Sequence, residues 1–343
     1  PCNPSSLTRW RQRLGEVGME ELLAQTVAAA RSMKAVDTRE LSRVIVDTTV
    51  QEKAIAHPTD SRLLEVARRK LVLLSRRNGL QLRQTYEREA PGLARKAGRH
   101  AHARQFKRMR RVLRRQRTLL GRVFRDIGRQ LDTLDEAARE QIQVWLERAE
   151  RIGSQRPKNS NKLYALHAPE VECIGKGKAR KPYEFGVKVG IAVTARKGLV
   201  VGALSFPGNP YDGDKLEEQL EQVGIVSGQK PKTAIVLGYR GREVEGVDIL
   251  HRGKPKTLTR RQWAWVKRRQ AVEPVIGHLK DDCRMRRCHL KGAEGDALHV
   301  IACAAGYNIR WLMRWIVFLC AWVLGTAVRS TSRQQSMQIA TAA

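Results

Sequence analysis

Residues 41–50 read Leu-Ser-Arg-Val-Ile-Val-Asp-Thr-Thr-Val, and this stretch decides the fold. The run is compact and rich in β-branched side chains, which predicts a β-strand. Its apolar part ends at Asp47, and a carboxylate at the end of a buried strand is unusual. Asp47 is therefore the first candidate site residue.

Further along the chain, the hydrophobic pattern predicts more strands and then closing helices. The predicted strands are Tyr183–Val193, its hairpin partner Leu199–Ser205 after a turn at 195–198, Thr233–Leu237 and Val247–Leu250. The predicted helices are two short ones within residues 5–33, broken by Gly15 and Gly18, then Asp212–Val223, Leu258–Asp282 and Ala297 to about Val328. The apolar run Trp315–Val328 is short for a bilayer span, so we expect a core helix.

Residues 61–152 form a separate block with apolar side chains at helical spacing, which predicts long helices. Without this block, the order of elements is three strands, a helix, one or two further strands and closing helices. That order matches an RNase-H-like α/β core, a mixed sheet with flanking helices. The expected fold class is therefore α/β, interrupted by a long basic helical insertion.

The charge of the chain indicates a polyanionic partner. The 343 residues include 65 Lys+Arg against 34 Asp+Glu, a formal net charge of +31, which favours nucleic acid as that partner. Aromatic residues make up only 5% of the chain, which favours contacts to duplex phosphates over base stacking on a single strand.

Two basic segments are candidate DNA contacts. Between Arg95 and Arg129 there are fourteen Lys/Arg and one acid, Asp126. A solvated helix surface usually mixes both signs, so we interpret this segment as a track for DNA. The second segment, Gly-Lys-Gly-Lys at 175–178, lacks the pattern of a phosphate-binding P-loop and is expected to be a basic loop on DNA. The predicted DNA-binding residues are Arg110, Arg111, Arg114, Arg115, Lys176 and Lys178.

The six cysteines do not form a CxxC pair. A zinc site at Cys283 and Cys288, with His278 and His289 nearby, is conceivable, but such ligands normally come as two close pairs. Reduced thiols in a cytoplasmic protein are the preferred interpretation. No secretory signal opens the chain, and no membrane partner is expected.

Two acidic residues fit a metal-dependent site. In an RNase-H-like core, the ends of the first and fourth strands lie side by side, and a late helix crosses nearby. Carboxylates at these points can hold divalent ions, and Mg²⁺ prefers oxygen ligands. Asp47 and Glu273 occupy two of the three positions. Taken alone, Asp47 could equally cap a turn, and Glu273 could be a surface carboxylate paired with Arg269 or Lys280.

Several motifs together resemble bacterial DDE transposases of insertion-sequence family five. The motifs are Val46-Asp-Thr-Thr-Val50, His57-Pro-Thr-Asp-Ser-Arg-Leu63, Lys176-Gly-Lys178, Tyr183-Glu-Phe-Gly-Val-Lys188, Pro207-Gly-Asn-Pro-Tyr-Asp-Gly213, Gly238-Tyr-Arg-Gly241 and Ile276-Gly-His-Leu-Lys280. The opening Pro4-Ser-Ser-Leu-Thr-Arg-Trp10 resembles part of the family's N-terminal domain, which implies an N-terminal truncation. The resemblance thus runs nearly end to end.

The resemblance implies hydrolysis at terminal inverted repeats and strand transfer into target DNA, by a homo-oligomer on paired ends. The family's Arg-x3-Glu-x6-Lys signature falls on Arg269, Glu273 and Lys280. Asp47 and Glu273 would ligate Mg²⁺ or Mn²⁺, while Arg269 and Lys280 would bind double-stranded DNA through its phosphates. The implied domains are residues 1–40 as a remnant of an N-terminal helical DNA-binding domain, 41–60 and 161–330 as the catalytic domain, 61–152 as the insertion and 331–343 as a disordered tail.

One departure from the family's pattern affects the expected activity. The family places its second catalytic aspartate in Asp-x-Gly-Tyr, and this position here holds Val236. Either the aspartate was substituted or one residue was deleted; Asp212, Asp214, Glu243 and Asp248 are candidates to replace it. A transposase relic that binds terminal repeats without cleaving them is therefore an alternative. A nuclease without strand transfer is disfavoured, because the motifs are those of transposases.

Overall fold

The structure is a computed structural model that describes residues 3–175, 177, 181–237, 243–253 and 258–341, without the side chains of Pro4 and 325–341. The chain forms two compact units. Unit 1 comprises Pro1–Lys53 and Ile174–Ala343, and unit 2 comprises Ala54–Cys173. The domain boundaries expected from the sequence stay a prediction.

A mixed sheet forms the centre of unit 1. In chain order the strands are β1 (Arg43–Glu52), β2 (Glu172–Gly175), β3 (Tyr183–Thr194), β4 (Val200–Phe206), β5 (Thr233–Ile235) and β6 (Asp248–Leu250). β1 pairs antiparallel with β3 and parallel with β5; β3 also pairs with β4, and β5 with β6. This sheet and its flanking helices confirm the α/β class and are consistent with an RNase-H-like domain.

The helices lie in the parts of the chain where the sequence predicts them, but some of their ends and breaks differ. In chain order they are α1 (Pro4–Ser32), α2 (Thr38–Leu41), α3 (Asp60–Arg77), α4 (Ala90–His102), α5 (Phe106–Gly128), α6 (Glu136–Ser154), α7 (Leu216–Ser227), α8 (Arg260–Arg268), α9 (Val272–Asp281) and α10 (Gly292–Thr341). The predicted break at Gly15 is a kink inside α1, where that glycine has φ 60° and ψ −166°. A left-handed φ of this kind is favoured by glycine, which lacks a Cβ.

The single helix predicted over Leu258–Asp282 is wrong, because α8 and α9 are separated by a 3₁₀ turn at Arg269–Ala271. The sequence reason is Pro274, which has no backbone N–H and whose ring clashes with the carbonyl four residues earlier, at Gln270. The tighter turn resolves this conflict. It also places Arg269 between two helices, beside the sheet.

The core of unit 1 joins the sheet to α1, α7, α9 and α10. Met19, Leu23 and Val27 of α1 are buried in the same apolar cluster as the β1 side chains Ile45 and Val46. The first 40 residues therefore pack on the sheet of unit 1.

Asn308 of α10 is a buried polar clamp within this core. Its Oδ1 accepts from Val200 N at 2.9 Å, and its Nδ2 donates to Val200 O at 2.7 Å and to Thr26 Oγ1 at 2.9 Å. One side chain thus satisfies the backbone of β4 and connects it to α1.

Replacing Asn308 with alanine will leave the Val200 amide and carbonyl buried without partners. Each unsatisfied group costs about 1–3 kcal/mol, so we expect thermal unfolding of unit 1 to shift down by several degrees, at about 2–4 °C per kcal/mol. Differential scanning calorimetry measures this shift, with the exposed Asn159→Ala as the matched control. Equal melting temperatures for the two variants would contradict the clamp.

The end of α10 contradicts the predicted core helix. Ile316, Phe318, Trp322 and Leu324 are exposed, because the buried part of α10 ends near Leu312. Among the helices as far as their residues are described, none combines the length and apolarity needed to cross a membrane.

Unit 2 is a bundle of α3, α4, α5 and α6 around its own apolar core, which includes Leu64, Leu71, Leu120 and Ile142. α5 buries Leu113, Leu120 and Ile127 at intervals of seven residues, as expected for one face of an amphipathic helix. Its basic side chains therefore lie on the remaining, outward faces.

Candidate functional site

Asp47 lies inside β1 and not at the strand's end as the sequence suggested. β1 continues to Glu52, antiparallel to β3, and Asp47 is opposite Ile191. The parallel partner β5, however, pairs with β1 only as far as Ile45. Asp47 is therefore the first residue on its face of β1 beyond the end of β5, which leaves its carboxylate partly open to solvent.

Arg269 brings the two predicted acidic residues together. Its Nη1 lies 3.0 Å from Asp47 Oδ2, and its Nη2 donates to Glu273 Oε1 at 3.0 Å. Arg269 is buried, with 9% of its surface exposed, whereas the side chain of Glu273 is 62% exposed. The expected convergence of Asp47 and Glu273 thus takes place around one guanidinium, while their role as metal ligands stays a prediction.

Burial dominates the electrostatics of Asp47. Loss of solvent raises the pKa of this carboxyl, and Glu273 adds a smaller effect in the same direction; the positive charge of Arg269 and a hydrogen bond from the Thr48 backbone lower the pKa. The net shift is upward. The carboxylate is thus poorly solvated, and its charge is tolerated because a cation lies next to it.

The strand beside Asp47 carries two apolar residues where a third carboxylate was sought. Ile45 pairs with Ile235, and Val236 N still donates to Leu250 O of β6 at 3.0 Å. Continuing this register places Val236 level with Val46 and Leu237 level with Asp47, and residues level with each other point to the same face. Val236 is 1% exposed within the core, whereas Leu237 is 44% exposed.

The position nearest Asp47 is therefore residue 237, not the residue 236 that the Asp-x-Gly-Tyr pattern selects. Sequence reasoning missed it because Thr233–Val236 is apolar on both faces, so alternation does not reveal which side chain faces which helix. The Gly238–Tyr239 pair used for the alignment lies outside the described residues.

Two of the four candidate acids, Asp212 and Asp248, do not replace the missing carboxylate in this structure, while the roles of Asp214 and Glu243 stay predictions. Asp212 accepts from Thr48 Oγ1 at 2.9 Å and pairs with Lys188 at 2.8 Å. Thr48 points to the face of β1 opposite to Asp47, so Asp212 lies on the wrong side of the sheet. Asp248 pairs with Thr233, which in turn pairs with Arg43. Arg43 lies four residues before Asp47 along β1, so Asp248 is displaced from Asp47 by about 13 Å in the strand direction, at 3.3 Å per residue.

The donor set does not fit a centre for two divalent ions. Among the residues that the structure describes, no group of three or more His, Cys, Asp or Glu side chains could hold a metal. Two carboxylates are present, and the cation between them is an arginine. A centre for two ions needs further carboxylates to hold both of them, and these two side chains do not supply them.

The structure describes some of the remaining predicted site residues. Lys280 is on α9, seven residues and two turns after Glu273. Arg110, Arg111 and Arg114 are exposed on α5 of unit 2. Lys176 and Lys178 lie outside the described residues.

Arg115 differs from the other three arginines of α5 that were predicted to bind DNA. Its Nε and Nη2 bind the two carboxylate oxygens of Glu89 at 2.7 and 2.9 Å. Across the described part of the chain, no acidic side chain forms an ion pair with Arg110, Arg111 or Arg114. Of the four predicted arginines, these three therefore carry charge that Glu89 does not neutralise.

The mixed sheet is consistent with an RNase-H-like domain, and Asp47 of its central strand forms with Glu273 of α9 a candidate nucleic-acid-processing site. Residues 155–309 match the family model described as a transposase DDE domain. The match supports a DDE transposase, and it covers Val236 and Glu273 but begins after Asp47. DDE transposases generally use divalent metal ions.

A curated relative is similar over part of the chain. It is the uncharacterized protein ORF8 in the nfe locus of Rhizobium meliloti, 51% identical over 106 residues, which are 31% of this chain and 51% of that protein. The chain thus spans about half the length of this relative. No solved structure matches the chain.

Proposed function

We propose that the chain is a DDE transposase of insertion-sequence family five in fold and DNA binding, and that this copy binds element ends without cleaving them. The observation that supports the proposal is the apolar Val236-Leu237 after β5: neither the position selected by the family's pattern nor the position level with Asp47 supplies the further carboxylate that a metal-dependent nuclease needs. The exposed arginines of α5 support the part of the proposal that concerns DNA binding.

The substrate we propose is double-stranded DNA carrying the terminal inverted repeats, bound by a homo-oligomer. Contacts to phosphates would supply most of the affinity, because each neutralised phosphate releases counterions. Sequence preference would have to come from groups that reach base edges, and a cytoplasmic location follows from the same proposal.

Replacing Arg110, Arg111 and Arg114 together with glutamine will weaken binding to every duplex sequence. The slope of log affinity against log salt concentration should become shallower by about 0.9 per lost phosphate contact, hence by up to about 2.7. Fluorescence anisotropy of a labelled duplex at several salt concentrations measures both affinity and slope. Duplexes with the genomic flanks of the gene and scrambled duplexes separate end recognition from general attraction.

The matched control is Arg115→Gln on the same helix. This change removes one positive charge that Glu89 already neutralises, so we expect a slope close to that of the native chain. An unchanged slope in the triple variant would exclude α5 from the DNA interface. An effect of Arg115→Gln as large as one third of the triple variant's would show that only net charge matters.

A second candidate function is a competent transposase, acting by metal-dependent phosphodiester hydrolysis and strand transfer with Mg²⁺ or Mn²⁺. It is favoured by the convergence of Asp47 and Glu273 on one side of the sheet. In that case Lys280 would contact DNA phosphates from the same helix as Glu273. Nicking of a duplex with the element's flanks by the native chain would support this function over the first.

A further inference from the structure

The guanidinium of Arg269 already contacts two carboxylates, unlike an arginine whose donors are available to a DNA phosphate. Its guanidinium uses two nitrogens on two carboxylates, 3.0 Å from each. The Arg269 and Asp47 side chains are only 11% and 20% exposed, so solvent screens their contact weakly, whereas it screens the contact with the exposed Glu273 more strongly. Carboxylates from the strand and from the helix thus share one planar cation.

We propose that Arg269 is the resident cation of this carboxylate pair, held where a divalent ion would bind, and that divalent ions must compete with it. The charges support this assignment. The Asp47 side chain is 20% exposed and the Glu273 side chain is 62% exposed; their charges repel each other, and one guanidinium between them removes most of that repulsion. A divalent ion at the same place would meet a positive charge at contact distance.

The backbone around Arg269 makes this arrangement persistent. The 3₁₀ turn at Arg269–Ala271 precedes Pro274, which prevents a regular helix from rotating the arginine away from β1. Val272 and Leu279 anchor α9 in the core. Release of the guanidinium would leave it buried without a partner, which is costly unless the turn itself moves.

The test is Mn²⁺ binding to the full chain without DNA, measured by the electron paramagnetic resonance signal of free Mn²⁺. We expect weak binding to the native chain and an affinity higher by about tenfold or more for Arg269→Gln. Lys267→Gln is the matched control, because it removes the same charge from an exposed position two residues away. Its affinity should change by less than about twofold, since exposed charges are screened.

A second substitution locates the bound ion. Asp47→Asn added to Arg269→Gln should return Mn²⁺ affinity to the native level, because one of the two ligands is lost. If circular dichroism shows that Arg269→Gln does not fold, Arg269→Met takes its place. Methionine keeps a flexible unbranched side chain but carries no charge, so this variant should also bind Mn²⁺ more tightly.

Two results would overturn the proposal: native affinity for Mn²⁺ in the folded Arg269 variant, or an equal gain in Lys267→Gln. Both measurements are made without DNA, whereas the salt-dependent binding test is made without metal. Failure of this inference is therefore distinguishable from failure of the proposed DNA binding.

Discussion

Insertion of one aspartate between Val236 and Leu237 will produce Mg²⁺-dependent nicking at a rate at least about 100-fold above that of the native chain. The factor is the usual cost of misplacing a reacting group by about 1 Å, and a missing ligand does more than misplace one. The inserted residue would be level with Asp47 on the same face of the sheet, while Ile235 and Val236 keep their places in the core.

The alternative repair, Val236→Asp, is expected to fail. It puts a carboxylate at a position that is 1% exposed and level with Val46, on the face opposite to Asp47. An unpaired buried charge costs several kcal/mol or is neutralised by protonation. This variant should therefore unfold at lower temperature and cleave no better than the native chain.

Leu237→Asp tests whether a carboxylate level with Asp47 is sufficient or whether the additional residue of the insertion is also needed. It places a carboxylate beside Asp47 without an insertion, but leaves the following glycine one residue closer than in the family's pattern. We expect nicking between that of the native chain and that of the insertion. The assay uses duplexes with the genomic flanks of the gene, in Mg²⁺ and in chelator.

Asp47→Ala added to each repaired chain must abolish its nicking activity, because Asp47 is proposed to bind the metal together with the restored carboxylate. Stronger nicking by Val236→Asp than by the insertion would refute the register argument. Rapid nicking by the native chain would show that a carboxylate outside this arrangement completes the site, and the relic proposal would be wrong.

The sheet was predictable because its strands carry strong local signals. β3 has a β-branched residue at every second position from 187 to 193 and is followed by β4 after a short turn. β1 is a run of β-branched side chains, so the pattern of each strand indicates its structure. The kink in α1 was predictable for a similar reason, since Gly15 favours a backbone conformation that other residues avoid.

The details of the site were less predictable because they depend on register and on partners far away in sequence. The position of Asp47 inside β1 follows from pairing with β3, about 140 residues later along the chain. The face of Leu237 follows from the hydrogen bond between Val236 and Leu250. Arg269 had the spacing to share a helix face with Glu273, but its contact with Asp47 requires the fold.

Pro274 was visible in the sequence, and its effect was underestimated. A proline three residues into a helix is tolerated, so the helix could only begin near Val272, which forces a separate turn before it. The ion pair between Arg115 and Glu89 joins α5 to the start of α4 across 26 residues. Counting the charged residues between 95 and 129 does not include Glu89. Nothing in that count therefore separates Arg115 from the neighbouring arginines.

Asp296→Asn will destabilise unit 1 by about 3–5 kcal/mol, the usual cost of removing one member of a buried ion pair. Lys53, directly after β1, places its Nζ 2.9 Å from Asp296 Oδ1, with side chains only 6% and 4% exposed. The same ammonium donates to Gly292 O at 3.3 Å. The pair fixes the end of the strand that carries Asp47 to the start of α10, and urea unfolding measures its loss.

Two comparisons decide whether charge burial is the cause. Lys53→Met with Asp296→Leu removes both charges, and such replacements are often neutral, so this double variant should be more stable than Asp296→Asn alone. Lys215→Gln breaks an exposed pair with Glu218, which should cost less than about 1 kcal/mol. Gln51 also donates to Asp296 O at 3.0 Å. If the double variant is the least stable of the three, packing and hydrogen bonds at this place contribute more to stability than the pairing of the two charges does.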